Sequence, residues 1–517
     1  MTSIFLFLIK TILNKNIELS WYQDYKNIKF YLKNDEGIMP KTPQIKLPKQ
    51  LWNDETIDLT RHSYQGKLLN KSEGFKLGKA QRKKIPREQL SQLSERPKGT
   101  TALTIYDWSN QGRLELLKPI RAKRMSVSPF TFYRGMPSLM LFDQAWEQSN
   151  SGLFQQICGD CHLSNFGGFA SPERNLLFGI NDFDETLVAP FEWDLKRLAT
   201  SFVIAARDID LADKVGLKAI KTMLNSYRQH LLENTELSPL QVWYEKVDAS
   251  TLLENTECRK LRKKRAKHLD SAQKRNAYSV LPKLTQKDED TGFRHFVDDA
   301  PLLWHPNSDE PFSKDVDIFF KQYRESLKYD RQVLFDRYQR TDVALKVVGV
   351  GSVGTRSAIA LFQDADREPL ILQMKEANPS ILSPLFLDKV THEGERVVHG
   401  QQLMQAASDI FLGFSSTLDQ HFHVRQLRDM KISVDLSDMD DEYFYEYAES
   451  CGLALAHAHA KAGNADVLMG YLGEGGAIVE VLQSYAEAYA ERNLNDYQQF
   501  MNEVADGKIQ LAGDDAL

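Results

Sequence analysis

The chain has 517 residues, of which 42% are hydrophobic and 26% are charged, and its formal net charge is −6. These fractions match soluble globular proteins and exclude the disordered, collagen-like and disulfide-scaffold classes. The slightly acidic balance argues against a nucleic-acid partner, and four cysteines in so long a chain predict a reducing, cytoplasmic location.

The first 75 residues are interpreted as an N-terminal extension whose structure the sequence does not determine. Its apolar run, Ile4–Ile9, ends at Lys10 and has neither a basic segment before it nor a small-residue cleavage site after it. No run in the chain approaches the roughly 20 apolar residues that a membrane helix needs. We therefore expect no signal peptide and no membrane partner.

Polar side chains surround a short predicted hairpin within CGDCHLSNFGGFASPERNLLFGINDFDE, residues 158–185. Asp160 and Asn165 are five apart in a polar turn, and Asp182 follows the apolar strand LLFGI. Phosphoryl transfer needs a carboxylate that orients the attacking hydroxyl, and an amide with a second carboxylate that holds magnesium. These three residues supply those groups in that order.

Two acidic residues beyond the hairpin, Asp184 and Glu185, add oxygen ligands suited to a hard cation. Two other interpretations of the segment remain open. Cys158-Gly-Asp-Cys161-His162 matches the attachment pattern of c-type haem, although such attachment needs export and no signal is seen. Alternatively, the polar residues only cap a helix or satisfy the backbone of the turn.

A second group of candidates follows the strand ALKVV. Gly349, Gly351 and Gly354 form a G-x-G-x-x-G pattern, which in a dinucleotide-binding fold precedes a helix. Here residues 355–362 are short, apolar and β-branched, and a turn and the strand LILQMK, ending in Lys375, come next. Three strands joined by turns, with a lysine at the end of the third, are the arrangement of protein kinases. The alternative is a tight hairpin beside a solvated lysine.

Residues 393–405 are predicted to be a helix, and HFHVRQL (421–427) a strand. Either Glu393 or Glu395 is placed to pair with Lys375, and we favour Glu395 because it lies deeper in the helix.

The motif Gly-Asp-x-His-x-x-Asn at 159–165 resembles the catalytic loop of aminoglycoside- and choline-kinase-like phosphotransferases. NDFDE resembles their metal-binding segment, and PFEWDLKRLA (190–199) resembles the helix start that follows it. The resemblance implies that Asp160 is the catalytic base, that His162 orients the loop and that Asp194 is a structural anchor. The chain departs from the pattern at Cys158 and in a longer hairpin. The predicted site residues are Asp160 and His162 for catalysis; Gly349, Gly351, Gly354, Lys375 and Glu395 for ATP; and Asn165, Asp182 and Asp184 for Mg²⁺.

The order of these segments is reversed relative to an ordinary kinase, because the catalytic-loop-like segment precedes the glycines. We predict an α+β, two-lobed, protein-kinase-like fold that is circularly permuted; the alternative is that one of the two matches is accidental. The predicted domain is 76–510, with 76–340 mostly C-lobe-like, 341–431 N-lobe-like, and 432–510 forming C-terminal helices.

From about residue 78 to 500 the chain also resembles a bacterial family known as domain of unknown function 2252 (DUF2252). The resemblance rests on motifs such as RMSVSPFTFYRG, VVGVGSVGTR and LALAHAHAKAG, and it implies no established reaction. The residues themselves predict an ATP- and Mg²⁺-dependent phosphotransferase with an unknown acceptor. The alternatives are a non-catalytic kinase-like module that binds a nucleotide or a partner, and a nucleotidyl transferase that uses the same site.

Four further residues outside these motifs are of interest. His457 and His459 are two apart on a helix, so they point to different faces and are expected to be core or capping residues rather than joint metal ligands. Arg425 lies within the predicted strand 421–427, and charged residues follow that strand at positions 428, 429 and 431; an ion-pair network and a substrate contact are both open for them. Arg134, at the end of SPFTFYRG, is compatible with a phosphate contact or a carboxylate pair.

Overall fold

The structure, a computed structural model, describes residues 45–513 apart from 53–55, 61–62, 65–66, 148–149, 250–276, 306–309, 348, 387–388, 418–419, 428–431 and 438. The chain divides into two units, Met1–Lys46 and Leu47–Leu517, and nearly all of the first lies outside the described residues. The greater part of the predicted N-terminal extension therefore also lies outside them.

Fifteen α-helices belong to the described part of the second unit. They are α1 (Lys71–Lys84), α2 (Ala102–Ser109), α3 (Lys118–Met125), α4 (Pro129–Gly135), α5 (Pro137–Trp146), α6 (Glu192–Asp208), α7 (Asp213–Thr235), α8 (Pro239–Tyr244), α9 (Ala277–Leu284), α10 (Glu310–Ser326), α11 (Tyr329–Phe335), α12 (Glu393–Met404), α13 (Asp441–Ala462), α14 (Ala465–Leu472) and α15 (Gly476–Ala505).

Sixteen strands are found in the same described residues. They are β1 (Ile57–Asp58), β2 (Ser63–Tyr64), β3 (Lys67–Leu68), β4 (Leu153–Ile157), β5 (Phe166–Ala170), β6 (Leu176–Ile180), β7 (Leu187–Pro190), β8 (Thr285–Lys287), β9 (Arg294–Phe296), β10 (Leu303–Trp304), β11 (Gln339–Lys346), β12 (Ser357–Gln363), β13 (Pro369–Ala377), β14 (Gly413–Thr417), β15 (Gln420–Gln426) and β16 (Ile432–Ser433).

The largest sheet has six antiparallel strands in the order β10-β11-β12-β13-β15-β14. Its central strand, β12, is buried along its whole length because both faces of the sheet are covered. Successive side chains of a strand point to opposite faces. Accordingly, Ala360 and Phe362 pack with α10 and α11 on one face, and Ile359 and Leu361 pack with residues of α9 to β10 on the other.

Two three-stranded sheets carry the catalytic-loop-like segment. One has the order β1-β4-β7 and the other the order β16-β5-β6. The segment starts where β4 ends, passes through the β5–β6 hairpin and ends where β7 begins. These sheets pack on the largest hydrophobic core, to which α6, α7, α13, α14 and α15 contribute most of the residues. The residues that follow β4 are thus held between a sheet and a helical core.

The α+β class and several predicted elements are confirmed. Strand LLFGI is β6, the helix expected at 393–405 is α12, and the strand expected at 421–427 is β15 with its start and end one residue earlier. The C-terminal fifth of the chain is helical over α13 to α15. In the described part of the chain, no helix combines the length and the apolar character that a membrane span requires.

Candidate active site

The loop after β4 is fixed by the buried carboxylate of Asp194 on α6. The backbone N–H groups of Cys158 and Gly159 donate to its two oxygens at 2.8 and 2.9 Å, and His459 Nε2 lies 3.3 Å from Oδ2. Gly159 has φ +79°, and a Cβ at this position would collide with the Glu185 carbonyl. Only glycine tolerates both the positive φ and the close approach of this carbonyl. Asp194 therefore anchors the start of this loop by accepting two of its backbone N–H groups.

Asp160 follows directly and is held by Arg197, one turn after Asp194 on the same helix. Both contacts go to one carboxylate oxygen, Oδ1, from Arg197 Nε at 2.7 Å and Nη2 at 2.5 Å. Burial raises the pKa of Asp160 above its usual value, although the Arg197 charge opposes that effect. The result is a carboxylate with one oxygen in a charge-assisted hydrogen bond and the other directed elsewhere.

His162 and Asn165 complete this loop. Asn165 Nδ2 donates to the Asp160 carbonyl at 2.8 Å, and His162 donates its backbone N–H to the same carbonyl at 2.9 Å. The His162 ring is buried 3.8 Å from Asp160 Oδ2, and burial lowers its pKa well below the usual range, so the ring is neutral. Both residues shape the turn through backbone contacts, as the resemblance implies for His162.

Lys375 and two aspartates meet across the gap between the six-stranded sheet and the β5–β6 hairpin. Lys375 Nζ is 2.6 Å from Asp184 Oδ2 and 3.6 Å from Asp182 Oδ1. Burial acts to lower the pKa of Lys375, but the two carboxylates raise it above its usual value. Burial and Asp182 raise the pKa of Asp184, against the effect of Lys375. The sequence analysis assigned all three residues to the site, and the structure brings them together.

The three predicted glycines lie in the connection between β11 and β12, which we call the glycine turn (349–354). Gly349 and Gly354 have φ of +72° and +93°, a region that side chains rarely adopt. Arg124 donates to the Gly349 carbonyl and Arg113 to the Val353 carbonyl, both at 2.5 Å. The turn joins antiparallel strands, so a dinucleotide-binding βαβ unit is excluded here.

Glu395 is not brought to Lys375. Its carboxylate lies 3.9 Å from His399, at the solvent-facing start of α12, and the ion pairs of Lys375 go to Asp182 and Asp184. Glu393 instead pairs with Arg396 at 2.6 Å. The helix presents its first turn to the loop through Arg396, because that guanidinium also donates to the Thr186 and Asp184 carbonyls.

A cleft of about 260 Å³ lies between the sheet and the hairpin. It is lined by Phe169, Ala170, Asn181, Asp182, Gly349, Ser352, Gln373, Lys375, Gln401, Gln405, Asp409, Arg425, Gln426 and Leu427. One residue of the first candidate group, Asp182, and two of the second, Gly349 and Lys375, therefore line the same cavity, whereas Asp160, Asn165 and Asp184 are not among its lining residues. Arg425 lines it and donates to the Asn181 carbonyl at 3.2 Å, whereas the other charged residues predicted to follow that strand lie outside the described residues.

Four glutamines in the cleft wall were missed by the sequence analysis: Gln373, Gln401, Gln405 and Gln426. Gln373 lies two residues before Lys375 and therefore on the same face of β13. The alternation of side chains along a strand could have predicted its place beside Lys375. Gln401 Nε2 donates to Gln405 Oε1, and Gln405 Nε2 donates to the Ile180 carbonyl. Nothing in the sequence indicates that α12 lies beside β6, so these two had no local signal.

The donor set suits a hard divalent cation. Asp184 Oδ1 is buried and has no hydrogen-bond partner, and Asp182 Oδ1 lies beside the same lysine. The Asn165 carbonyl accepts the N–H of Asn181, the residue before Asp182. Among the described residues, no three His, Cys, Asp or Glu side chains converge as a metal cage. Magnesium does not need one, since it is usually held by one or two carboxylates, waters and substrate phosphates.

The cysteines of the possible haem motif are part of the core. Cys158 and Cys161 are fully buried, and Cys158 Sγ donates to the Asp182 carbonyl at 3.3 Å. Covalent attachment of haem would need both sulfurs to be accessible. The haem interpretation therefore does not fit this fold.

The sequence profile of one family matches residues 113–503, which is most of the chain and includes every predicted site residue. No curated protein and no solved structure is significantly similar to the chain. The matched family is described as "Uncharacterized protein conserved in bacteria (DUF2252)". The chain belongs to this family.

Proposed function

We propose that the chain is an ATP- and Mg²⁺-dependent phosphotransferase. The observation that carries the proposal is the meeting of Lys375, at the end of a sheet strand, with Asp182 and Asp184 across one cleft. A lysine for the nucleotide phosphates opposite carboxylates for a metal ion is the central pairing of kinase-like sites.

The sheet supports a kinase-like, circularly permuted fold. The glycine turn joins β11 to β12, Lys375 lies on the next strand, β13, and α12 follows before the last two strands, β14 and β15. This is the order of the glycine loop, lysine strand and C-helix in a kinase. The loop with Asp160 precedes all of them in the chain, as the permutation predicts. Because Glu395 faces His399, we leave it out of the proposed site.

Asp160 is proposed to orient the acceptor hydroxyl. Arg197 occupies its Oδ1, so Oδ2 is the oxygen that accepts the hydroxyl proton. The acceptor oxygen forms a bond to the γ-phosphorus, the bond from that phosphorus to the bridging oxygen breaks, and ADP leaves with the electron pair. Lys375, Arg425 and the backbone of the glycine turn hold the phosphates in position.

Asp182, Asp184 and Asn165 are the residues that would hold magnesium. When bound, the ion neutralises charge on the phosphates. Lys375 Nζ lies within 4 Å of a carboxylate oxygen of both Asp182 and Asp184, so a metal ion and the nucleotide phosphates would meet their opposite charges side by side.

Thermal unfolding with the non-hydrolysable analogue AMP-PNP and MgCl₂ tests the proposal. At a hundred times the Kd, binding stabilises the folded state by about 2.7 kcal/mol. We expect the wild type to show such a shift, Asp182→Asn to lose the part that depends on Mg²⁺, and Lys375→Met to weaken binding at least tenfold. Lys508→Met, which removes an exposed lysine near the C-terminus, is the charge-matched control.

The result that would overturn the proposal is a wild type that neither AMP-PNP nor ATP stabilises with Mg²⁺. Turnover separates an enzyme from a binding module, since Asp160→Asn should abolish ADP release while it retains nucleotide binding. Labelled ATP separates phosphoryl from nucleotidyl transfer by showing whether the γ- or the α-phosphate leaves the nucleotide.

A further inference from the structure

Three arginines lie beside the glycine turn. In the described part of the chain, Arg113, Arg124 and Arg134 form no ion pair with a carboxylate, and the hydrogen bonds of the first two go to backbone carbonyls. Burial lowers the pKa of Arg113 to about 10, so even this guanidinium stays charged at neutral pH. The turn is therefore bordered by three guanidinium groups that carboxylates influence only from beyond ion-pair distance, such as Asp160 and Asp208 for Arg134.

Arg134 differs from the other two because it does not hold the turn by its side chain. Its Nε is buried without a hydrogen-bond partner, and its guanidinium carbon lies 5.8 Å from the centre of the Phe130 ring. A buried donor without a partner destabilises the folded state. Such a cost is retained where a ligand satisfies the group.

Arg134 lies between the glycine turn and Asp160. Its carbonyl oxygen is 3.3 Å from the place where a Cβ on Gly351 would lie. The preceding residue, Tyr133, accepts a hydrogen bond at 3.2 Å from Arg197, the residue that holds Asp160. Lys375 and Arg425, in contrast, face Asp182 and Asn181. Arg134 thus lies on the Asp160 side of the site, where its charge acts on Asp160, and unlike Arg197 it makes no ion pair with that carboxylate.

We propose that the acceptor carries an anionic group, a phosphate or a carboxylate, which Arg134 binds beside the hydroxyl that Asp160 orients. This inference rests on the proposed function, because Asp160 marks the acceptor side only in a phosphotransferase. Arginine binds phosphate and carboxylate through paired N–H donors. A cationic acceptor such as choline or an aminoglycoside would be repelled by Arg113, Arg124 and Arg134.

The test measures anion binding while the nucleotide position is filled. The wild type, saturated with Mg·AMP-PNP so that the γ-phosphate site is occupied, is titrated with inorganic phosphate, with succinate and with NaCl at equal ionic strength. We expect phosphate or succinate to raise the unfolding temperature beyond the effect of NaCl, and the stronger of the two identifies the anionic group. Arg134→Gln should weaken that anion at least tenfold, and Arg134→Lys, which keeps the charge, should weaken it less.

Arg207→Gln is the control, because it removes one arginine that pairs with Asp213 and Glu491. It should bind the anion like the wild type. The proposal is wrong if neither anion exceeds NaCl, or if Arg134→Gln binds it unchanged. It is also wrong if Arg134→Gln and Arg134→Lys mainly weaken AMP-PNP, since Arg134 would then serve the nucleotide.

Failure of the proposed function gives a different result. In that case Mg·AMP-PNP does not stabilise the wild type at all, and the same anion titrations without nucleotide still report whether Arg134 binds an anion. If Arg134→Gln does not fold, Arg134→Lys answers the question alone.

Discussion

Each carboxylate of the candidate site is paired with a cation from a different part of the chain. Asp160 pairs with Arg197 on α6, and Asp184 pairs with Lys375 on β13. Charges in a buried site interact more strongly than at the surface, since water screens them less. The cations oppose the effect of burial, which raises the pKa of Asp160 and of Asp184, and they fix the positions of both carboxylates. Lys375 pairs with the aspartates and not with the α12 glutamate that the sequence analysis assigned to it.

The two helix histidines are buried, as the sequence analysis expected of core residues. His459 lies 2.9 Å from the Tyr227 hydroxyl and 3.3 Å from Asp194. His457 is 7% exposed, and its Nε2 has no hydrogen-bond partner. Burial, with a contribution from Lys461, lowers the pKa of His457 to about 4. His457 is therefore neutral in the folded protein throughout the physiological range.

This depressed pKa predicts a loss of stability in mild acid. The unfolded chain binds a proton at His457 with a pKa of about 6.5, whereas the folded chain does so only near 4. The contribution of neutral His457 is fully present above pH 6.5 and is lost as the pH falls towards 4. Between pH 6.5 and 4.5 the loss is about 2 kcal/mol. Urea unfolding at several pH values should show His457→Gln with a correspondingly flatter profile.

His399→Gln is the control for that profile, because His399 is exposed on α12. It should leave the pH dependence of the wild type unchanged. Parallel profiles for the wild type and His457→Gln would mean that His457 does not titrate differently in the two states.

At the scale of single elements, the glycine turn is the part of the site whose conformation is most constrained. Gly354 accepts a hydrogen bond from the Leu114 N–H at 2.8 Å, and a Cβ there would lie 3.1 Å from the Arg113 Cβ. The arginines thus hold the turn against the segment before α3. A turn fixed in this way presents its backbone to the cleft without the entropy cost of ordering it on binding.

Gly354→Ala should therefore weaken nucleotide binding more than it destabilises the fold. A side chain at φ +93° costs about 1–3 kcal/mol, and relief of that strain moves the turn. We expect the Kd for Mg·AMP-PNP, measured by calorimetry, to rise at least fivefold. Gly99→Ala is the matched control, since Gly99 has φ +89° and no atom near its Cβ position. Equal effects of both variants would show that the turn does not contact the nucleotide.

Local patterns predicted the elements better than they predicted their neighbours. The apolar alternation of residues 357–375 and the glycines between strands gave β12, β13 and the turn, and the position of Asp182 after a strand gave its place at the cleft. The prediction that Glu395 on α12 pairs with Lys375 was wrong, because that pairing depends on how α12 is oriented. Its first turn faces Thr186 and Asp184 through Arg396, which the sequence does not reveal.

At the scale of the whole described unit, the site exists only where two distant parts of the chain dock. The aspartates lie after β6 and the lysine on β13, with α6 to β12 between them in sequence. Contacts between segments so far apart carry a large cost in loop entropy, which the packed cores on either side must offset. The cleft is thus a product of tertiary packing, and its geometry is sensitive to any contact that joins the two parts.

Arg396 makes several such contacts outside the cleft. Its buried guanidinium donates to Glu393, Thr186, Asp184 and Asn378 and so ties α12 to the loop before β7. Arg396→Gln leaves buried carbonyls without donors, which should cost at least about 2 kcal/mol. Hydrogen exchange followed by mass spectrometry should show faster exchange in β6, β7 and α12, and unchanged exchange in α15. Arg340→Gln, which removes an exposed pair with Asp317 on the same sheet, should change neither region. Uniformly faster exchange would mean that the parts unfold together rather than separate at this contact.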